Sequence, residues 1–401
     1  MSGASRGLAF RGAAVYTSGM KIAIVVNAFK GTLTSAEAAQ CIADGLRRAS
    51  RRFTVDCIPM ADGGAGTVDT VVRACGGNFR HARVSNPLGE KIRARYGLVD
   101  DGKTAIIEMA AASGISLLKP YQRNPLKTTT YGTGELMLAA LRTGAKKIIV
   151  GVGDSATNEG GAGMAEALGA KLLDGRGSPI PRGGAGLAKL RRIDIPASSA
   201  ISEIKAKRIQ MLVCCDVDNP LVGINGAAYT YGAQKFGVMP PASTVKNLDA
   251  NLRHFAAIVK RDLGISVANM KHAGTAGGLG AGLHAFLGAK LRKGFDFVAD
   301  MTGLKKRLKG CDLVITGEGK LDSQTAWGKM PSGVARLATS LGIPVIAIGG
   351  AADRDADQLL KCGIAAYFVC RPPADINDIR ADAASRLTDC AEQLGRILSL
   401  R

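Results

Sequence analysis

Three segments set carboxylates among turn-forming residues, glycine in the first and third and Asn-Pro in the second: Ala61-Asp62-Gly63-Gly64, Asp216-Val217-Asp218-Asn219-Pro220 and Gly317-Glu318-Gly319-Lys320-Leu321-Asp322. Each directly follows a short apolar run, at 55–58, 210–215 and 313–316. Each is therefore expected to form a turn at the carboxyl end of a strand, where open α/β sheets bind their ligands. Mg²⁺ prefers one or two carboxylates together with substrate phosphate oxygens, and glycine lets backbone approach a ligand closely. The combination predicts phosphoryl transfer to a small molecule.

Other polar segments could share that work. Lys30, in Phe29-Lys30-Gly31-Thr32, lies between the first strand and the first helix. There it would act as a point charge on a phosphate or a carboxylate. The run from Gly151 to Gly163 follows an apolar strand and opens a helix, so its N–H groups and the Ser155 and Thr157 hydroxyls could hold phosphate. It is neither a Walker A loop nor a dinucleotide fingerprint. Thr128 to Glu135 offers hydroxyls at another helix start, with N-capping by Thr133 as the plainer reading. Asp216 and Asp218 on one turn repel unless a cation or a proton offsets them. The glycines of 274–282 are equally well explained by tight helix packing.

The elements that must position these residues alternate at both chain ends. Strands are predicted at 21–26, 53–58, 313–316, 345–348 and 366–369. Helices are predicted from about Ala36, Gly66, Gly333 and Asp355, with a long final one over 376–398. Nearly continuous apolar strands alternating with helices indicate a parallel sheet covered on both faces. Between them, strands follow one another at 79–85, 92–98 and 104–109 before helices return, an α+β pattern. The predicted class is α/β, with a Rossmann-like domain built from 20–79 and 291–401. An α+β domain of 80–290 is inserted, and residues 1–19 form an N-terminal extension. A cleft between two such domains is a common small-molecule site.

Composition narrows the function classes. The 401 residues carry a net charge of +20 but only 4% aromatics. The basic clusters are short and scattered, at 47–48, 51–52, 146–147, 191–192 and 305–307, without the basic stripe and stacking aromatics of a nucleic-acid binder. A basic surface would instead draw in anionic substrates. No apolar stretch reaches the length of a membrane span. Nine cysteines without a C-x-x-C pair and four histidines without ligand spacing offer no disulfide framework or zinc site. They suit a reduced, cytoplasmic setting. Residues 1–19 contain Arg6 and Arg11 and no acid, as in a transit segment. A start upstream of Met20 is the simpler reading.

Taken together, the chain resembles the type I, bacterial-type D-glycerate kinase family. The resemblance rests on Phe29-Lys30-Gly31-Thr32-Leu33, Pro59 to Gly64, Glu108 to Gly114, Thr129 to Glu135, Ser155-Ala156-Thr157-Asn158, Cys215 to Leu221 and, most specifically, Gly317 to Thr325. These run in family order from Met20 to the C-terminus. The resemblance implies ATP- and Mg²⁺-dependent phosphorylation of D-glycerate to 2-phosphoglycerate, with homo-oligomerisation left open. On that basis Asp62 or Asp216 is expected as the base and Lys30 as a phosphate or carboxylate partner, with Glu318 and Asp322 as metal-linked carboxylates. Thr130, Ser155, Thr157, Asn158, Asp218, Asn219, Gly317 and Gly319 are expected around substrate and phosphate. The chain departs from the family pattern at Val26-Asn27-Ala28, where Pro-Asp-Ser is usual, at Asp154, where a glycine is usual, and at Glu159, where an aspartate is usual. Asn27 cannot serve as a base, and Asp154 places a carboxylate where phosphate would approach.

Overall fold

The computed structural model describes residues 19–29, 31–326, 330–372 and 381–400. Lys30, the extension up to residue 18 and the predicted start of the final helix at 376–380 lie outside them. The described strands are β1 (Lys21–Val26), β2 (Thr54–Cys57), β3 (Asn78–Ser85), β4 (Lys91–Val99), β5 (Thr104–Glu108), β6 (Lys147–Gly151), β7 (Lys171–Leu173), β8 (Arg192–Asp194), β9 (Gln210–Cys214), β10 (Lys290–Arg292), β11 (Leu313–Leu321), β12 (Val345–Ala352) and β13 (Ala366–Val369). One sheet has the order β13-β12-β11-β1-β2 and is parallel throughout. The other has the order β10-β9-β6-β5-β4-β3, with β5, β6, β9 and β10 parallel and β3 and β4 forming an antiparallel edge. That edge is the succession of strands read near residues 79–109.

Alternation along the strands builds the layers. In β1, Ile22, Ile24 and Val26 face a core completed by the helices Ser35–Ala49 and Ala383–Leu398, while Ala23 and Val25 face the opposite way. These two join a core shared by both sheets, with Ile106 of β5, Ile149 of β6, Val68 and Val71 of the helix Thr67–Ala74, and Phe295 and Val298 of the helix Gly294–Met301. Beyond the six-stranded sheet, Ile107, Ile148 and Val150 pack with Leu136, Phe255 and Phe286. Period-two burial on both faces is what strands inside an α/β stack require. The shared helical layer fixes the two sheets against each other.

Helix starts follow local chemistry. Thr34 caps the helix Ser35–Ala49 in a capping box with Glu37. The helix Thr67–Ala74 begins after Gly66, which has no side chain to offer, and Glu108 at the end of β5 accepts from the Val68 N–H at 2.7 Å. Burial pushes the Glu108 carboxyl up from 4.5 to about 7. We expect Glu108→Ala to lower unfolding free energy by about 1–2 kcal/mol, the usual loss of a cap, measured by denaturant titration. Because the folded-state value is raised, the stability contributed by this carboxyl is full below 4.5 and is lost as pH rises towards 7. Glu108→Gln should flatten that decline.

Two predicted elements differ. The run from Gly317 to Leu321 is a continuation of β11, paired with β12 as far as Leu321 opposite Ala352, and not a turn. The extension is possible because both strands carry small residues: a Cβ on Gly317 would lie 2.1 Å from the Ile348 carbonyl oxygen. The segment read as a helix from Asp355 is a 3₁₀ helix, Ala356–Cys362.

Candidate active site

The carboxyl ends of β1, β2 and β11 in one sheet and of β6 and β9 in the other open into a single cleft of about 1720 Å³. Asp62, Asp216, Glu318, Asp322, Ser155 and Gly319 all line it, together with Asn27 and Asp154. These six predicted site residues are thus brought together from both sheets.

Close backbone packing joins the two halves. A Cβ on Gly63 would lie 2.7 Å from the Cys214 carbonyl oxygen, one on Gly151 would lie 2.4 Å from that of Gly63, and one on Gly153 would lie 2.6 Å from the Gly64 Cα. These glycines serve the contact between the Asp62 turn and the ends of β6 and β9, as well as leaving the cleft wall bare. At that junction Asp216 Oδ1 accepts from the N–H groups of Gly294 (2.9 Å) and Phe295 (3.4 Å), the first residues of a helix. Its other oxygen is buried with no hydrogen-bond partner among the described residues. Burial, reinforced by the neighbouring Asp62 charge, pushes the Asp216 carboxyl up to about 8. Asn27 Nδ2 donates to Asp62 Oδ2 at 3.0 Å, and the Gly64 N–H donates to Asp62 Oδ1 at 3.3 Å. An aspartate at 27 would face Asp62 with like charge. Asparagine there instead fixes the Asp62 carboxylate.

The glycine loop after β6 is organised differently from a bare phosphate cradle. Asp154 has φ 55°, the left-handed region that glycine fills freely and aspartate tolerates, which accounts for the glycine expected at this position. Ser155 reaches the cleft, whereas Thr157 and Asn158 lie fully buried behind it. Thr157 Oγ1 and both side-chain polar atoms of Asn158 have no partner among the described residues. Thr130 does not line the cleft. Its N–H and hydroxyl both donate to Glu159 Oε1 at 2.7 Å, and its hydroxyl accepts from the Met164 N–H. Glu159, whose carboxyl burial pushes up, also accepts from the N–H groups of Gly163 and Gly183 and ties three segments together.

Lys235 carried no sequence signal, since no strand or glycine turn marks Tyr231-Gly232-Ala233-Gln234-Lys235. Its ammonium lines the cleft, donates to Ser155 Oγ and the Thr157 carbonyl, and is pushed by burial down to about 7.

Asp218 and Asn219 are placed away from the cleft lining. Asp218 is exposed and pairs with Lys271 and His272. Asn219 donates to the Asn225 carbonyl and accepts from the Tyr231 hydroxyl, fixing its own loop. Gly317 packs inside the sheet, and its carbonyl accepts from the Asn27 N–H. Asp322 Oδ1 accepts from the Thr325 N–H at 2.9 Å, at the start of the short helix Ser323–Ala326.

Among the described residues, no group of three or more His, Cys, Asp or Glu is placed to hold a metal ion. The residues nevertheless fit Mg²⁺, which needs few protein ligands when phosphate supplies the rest. Asp62 and Asp216 share one junction, and a cation held beside it would favour the ionised form of Asp216.

Two α/β layers with acidic strand ends facing one cleft suit a phosphotransferase for a small alcohol-bearing substrate. Residues 22–399 match the model of the glycerate kinase family. The chain is 46% identical to a glycerate kinase of Halalkalibacterium halodurans over 88% of its length and 90% of the relative's. It is also 46% identical to glycerate 2-kinase of Escherichia coli K12, over 87% and 90%. A crystal structure assigned as glycerate kinase 2 from Salmonella typhimurium LT2 superposes with a TM-score of 0.80 at 41% identity, covering 96% of this chain and 99% of that one. The chain belongs to the glycerate kinase family.

Proposed function

We propose that the protein transfers the γ-phosphoryl group of ATP to the C2 hydroxyl of D-glycerate, giving 2-phosphoglycerate and ADP. The observation that carries this reading is Asp216: a carboxylate gripped by two backbone N–H groups, with its second oxygen buried, unpaired and beside Asp62 at the cleft. In its ionised form that oxygen takes the proton of the C2 hydroxyl as the hydroxyl oxygen attacks phosphorus, and ADP leaves with the electron pair of the broken P–O bond. Such transfer depends mainly on positioning and charge neutralisation. Asn27 holds Asp62 in place. Glu318 and Asp322, with Asp62, are the carboxylates on the cleft wall that would hold Mg²⁺. When bound, the ion neutralises phosphate charge. Ser155 and the backbone around Gly319 face the same space, as do Phe29 and Gly31; Lys30 is proposed as a phosphate or carboxylate partner from the sequence alone. Thr157 and Asn158 support the Ser155 loop from behind.

The name of the Escherichia coli relative favours the 2-position. The division into an α/β domain from both chain ends and an inserted domain belongs to the same proposal, and agrees with the separate sheets of β1, β2, β11–β13 and of β3–β6, β9 and β10. No helix among the described residues is long and apolar enough to cross a membrane, in keeping with the proposed cytoplasmic location. The test is ADP release from ATP, Mg²⁺ and D-glycerate, with the product read by phosphorus NMR. Turnover on the order of 1–100 s⁻¹ is expected. Phosphorylation at C3 would overturn the product assignment, and no ADP release would overturn the substrate.

A further inference from the structure

Lys235 closes a 3₁₀ turn, Ala233–Lys235, that continues directly from a π-turn, Ala228–Gly232. Single π-turns are rare and often sit at functional sites. Here the turn drives a lysine inward until only 5% of it is exposed, with its ammonium at the cleft. Two of its three protons are accounted for by Ser155 Oγ at 2.7 Å and the Thr157 carbonyl at 2.6 Å. Neither partner is charged. No acidic group among the described residues acts on it, and burial alone governs its proton affinity. A buried ammonium without a counter-charge is costly. Next to it, the Thr157 hydroxyl and the Asn158 amide are buried and without partners among the described residues.

We propose that Lys235 binds the carboxylate of the acceptor hydroxy acid and so selects acidic acceptors over neutral ones. This rests on the kinase reading of the cleft and deepens it. The phosphate end of the reaction is served by the acidic strand ends, which gather a cation. A lysine free of acidic neighbours suits an anion that arrives without one. In a 2-hydroxy acid the carboxylate is bonded to the reacting carbon, so its anchor must share a cavity with the base. Lys235 and Asp216 line the same cleft.

The experiment compares Lys235→Met with the unchanged protein on D-glycerate and on D-glyceramide, which keeps both hydroxyls and replaces the carboxylate by a neutral amide. The variant is expected to lose roughly 10- to 100-fold in kcat/KM for D-glycerate, the range for a hydrogen bond to a charged group. Its kcat/KM for D-glyceramide and its KM for ATP should stay unchanged. Equal losses on both acceptors would make Lys235 a structural brace of the Ser155 loop and overturn the proposal. A rise confined to the KM for ATP would assign it to phosphate and overturn it as well. Calorimetric binding of D-glycerate without nucleotide, repeated with Lys235→Gln, gives a second readout that does not require turnover or the Met variant. Unchanged glycerate affinity there overturns the proposal. Failure of the unchanged protein to release ADP with D-glycerate would count against the proposed reaction alone.

Discussion

Asp216→Asn is expected to lower turnover by roughly 10²- to 10⁴-fold, the usual contribution of a positioned proton acceptor, and to make the ligand-free protein more stable above neutral pH. Both effects come from one geometry. Asparagine keeps an oxygen to accept from the Gly294 and Phe295 N–H groups, so the local fold has no reason to rearrange. It cannot take a proton from a hydroxyl. It also no longer places a second negative charge beside Asp62 in a buried site. The sign of the pH effect follows from the raised carboxyl. The stability that Asp216 contributes is fully present below its ordinary value of 3.8 and is lost as pH rises to about 8. The gap between variant and unchanged protein should therefore open between those values, reaching about 1–2 kcal/mol, the common gain on relieving a strained functional site. Denaturant titrations at acidic, neutral and alkaline pH measure the second effect, and ADP release measures the first. Near-normal turnover would remove Asp216 from the base role. A variant less stable than its parent at high pH would mean that the carboxylate is not held against its neighbour.

The parts of the site that were legible in the sequence are those whose signal is local. Asp62 and Asp216 each follow an apolar strand within a few residues, and strand ends in an α/β fold point to ligands wherever the rest of the chain goes. The first strand, Lys21–Val26, and the helix that follows it are legible for the same reason. What escaped depends on contacts between segments far apart in the chain. Thr130 looked like a free hydroxyl at a helix start, but Glu159 claims it. The acid-glycine pattern at Gly317–Leu321 looked like a turn, yet β12 offers a partner of matching small residues and the strand runs on. Lys235 is an ordinary lysine until the π-turn carries it behind Ser155. Asp154 and Asn27 read as departures from the family pattern. The structure gives each a local reason, a left-handed backbone for one and a hydrogen bond to Asp62 for the other.

Gly294→Ala probes the junction on which that chemistry depends, and no sequence pattern marks this residue. Its N–H donates to Asp216, while its Cα faces the Asp62 turn so closely that an added Cβ would lie 1.9 Å from the Asp62 carbonyl oxygen and 2.4 Å from the carbonyl carbon. Those are backbone atoms, so no side-chain rotation relieves the clash. Either the Asp62 turn or the start of the helix Gly294–Met301 must move, and with it one of the two carboxylates. Catalysis that relies on positioning falls by on the order of 10²-fold for a displacement near 1 Å, so a loss of at least that size in kcat is expected. Overpacking should cost about 1–3 kcal/mol of stability. Gly288→Ala provides the comparison: its φ of 66° strains any side chain, but nothing lies within 4 Å of its Cβ position and it does not line the cleft. That variant should lose roughly 1 kcal/mol and keep its turnover. If Gly294→Ala also kept its turnover, the spacing of Asp62 and Asp216 would not be set by this contact, and the rigid junction between the two sheets would lose its part in the mechanism.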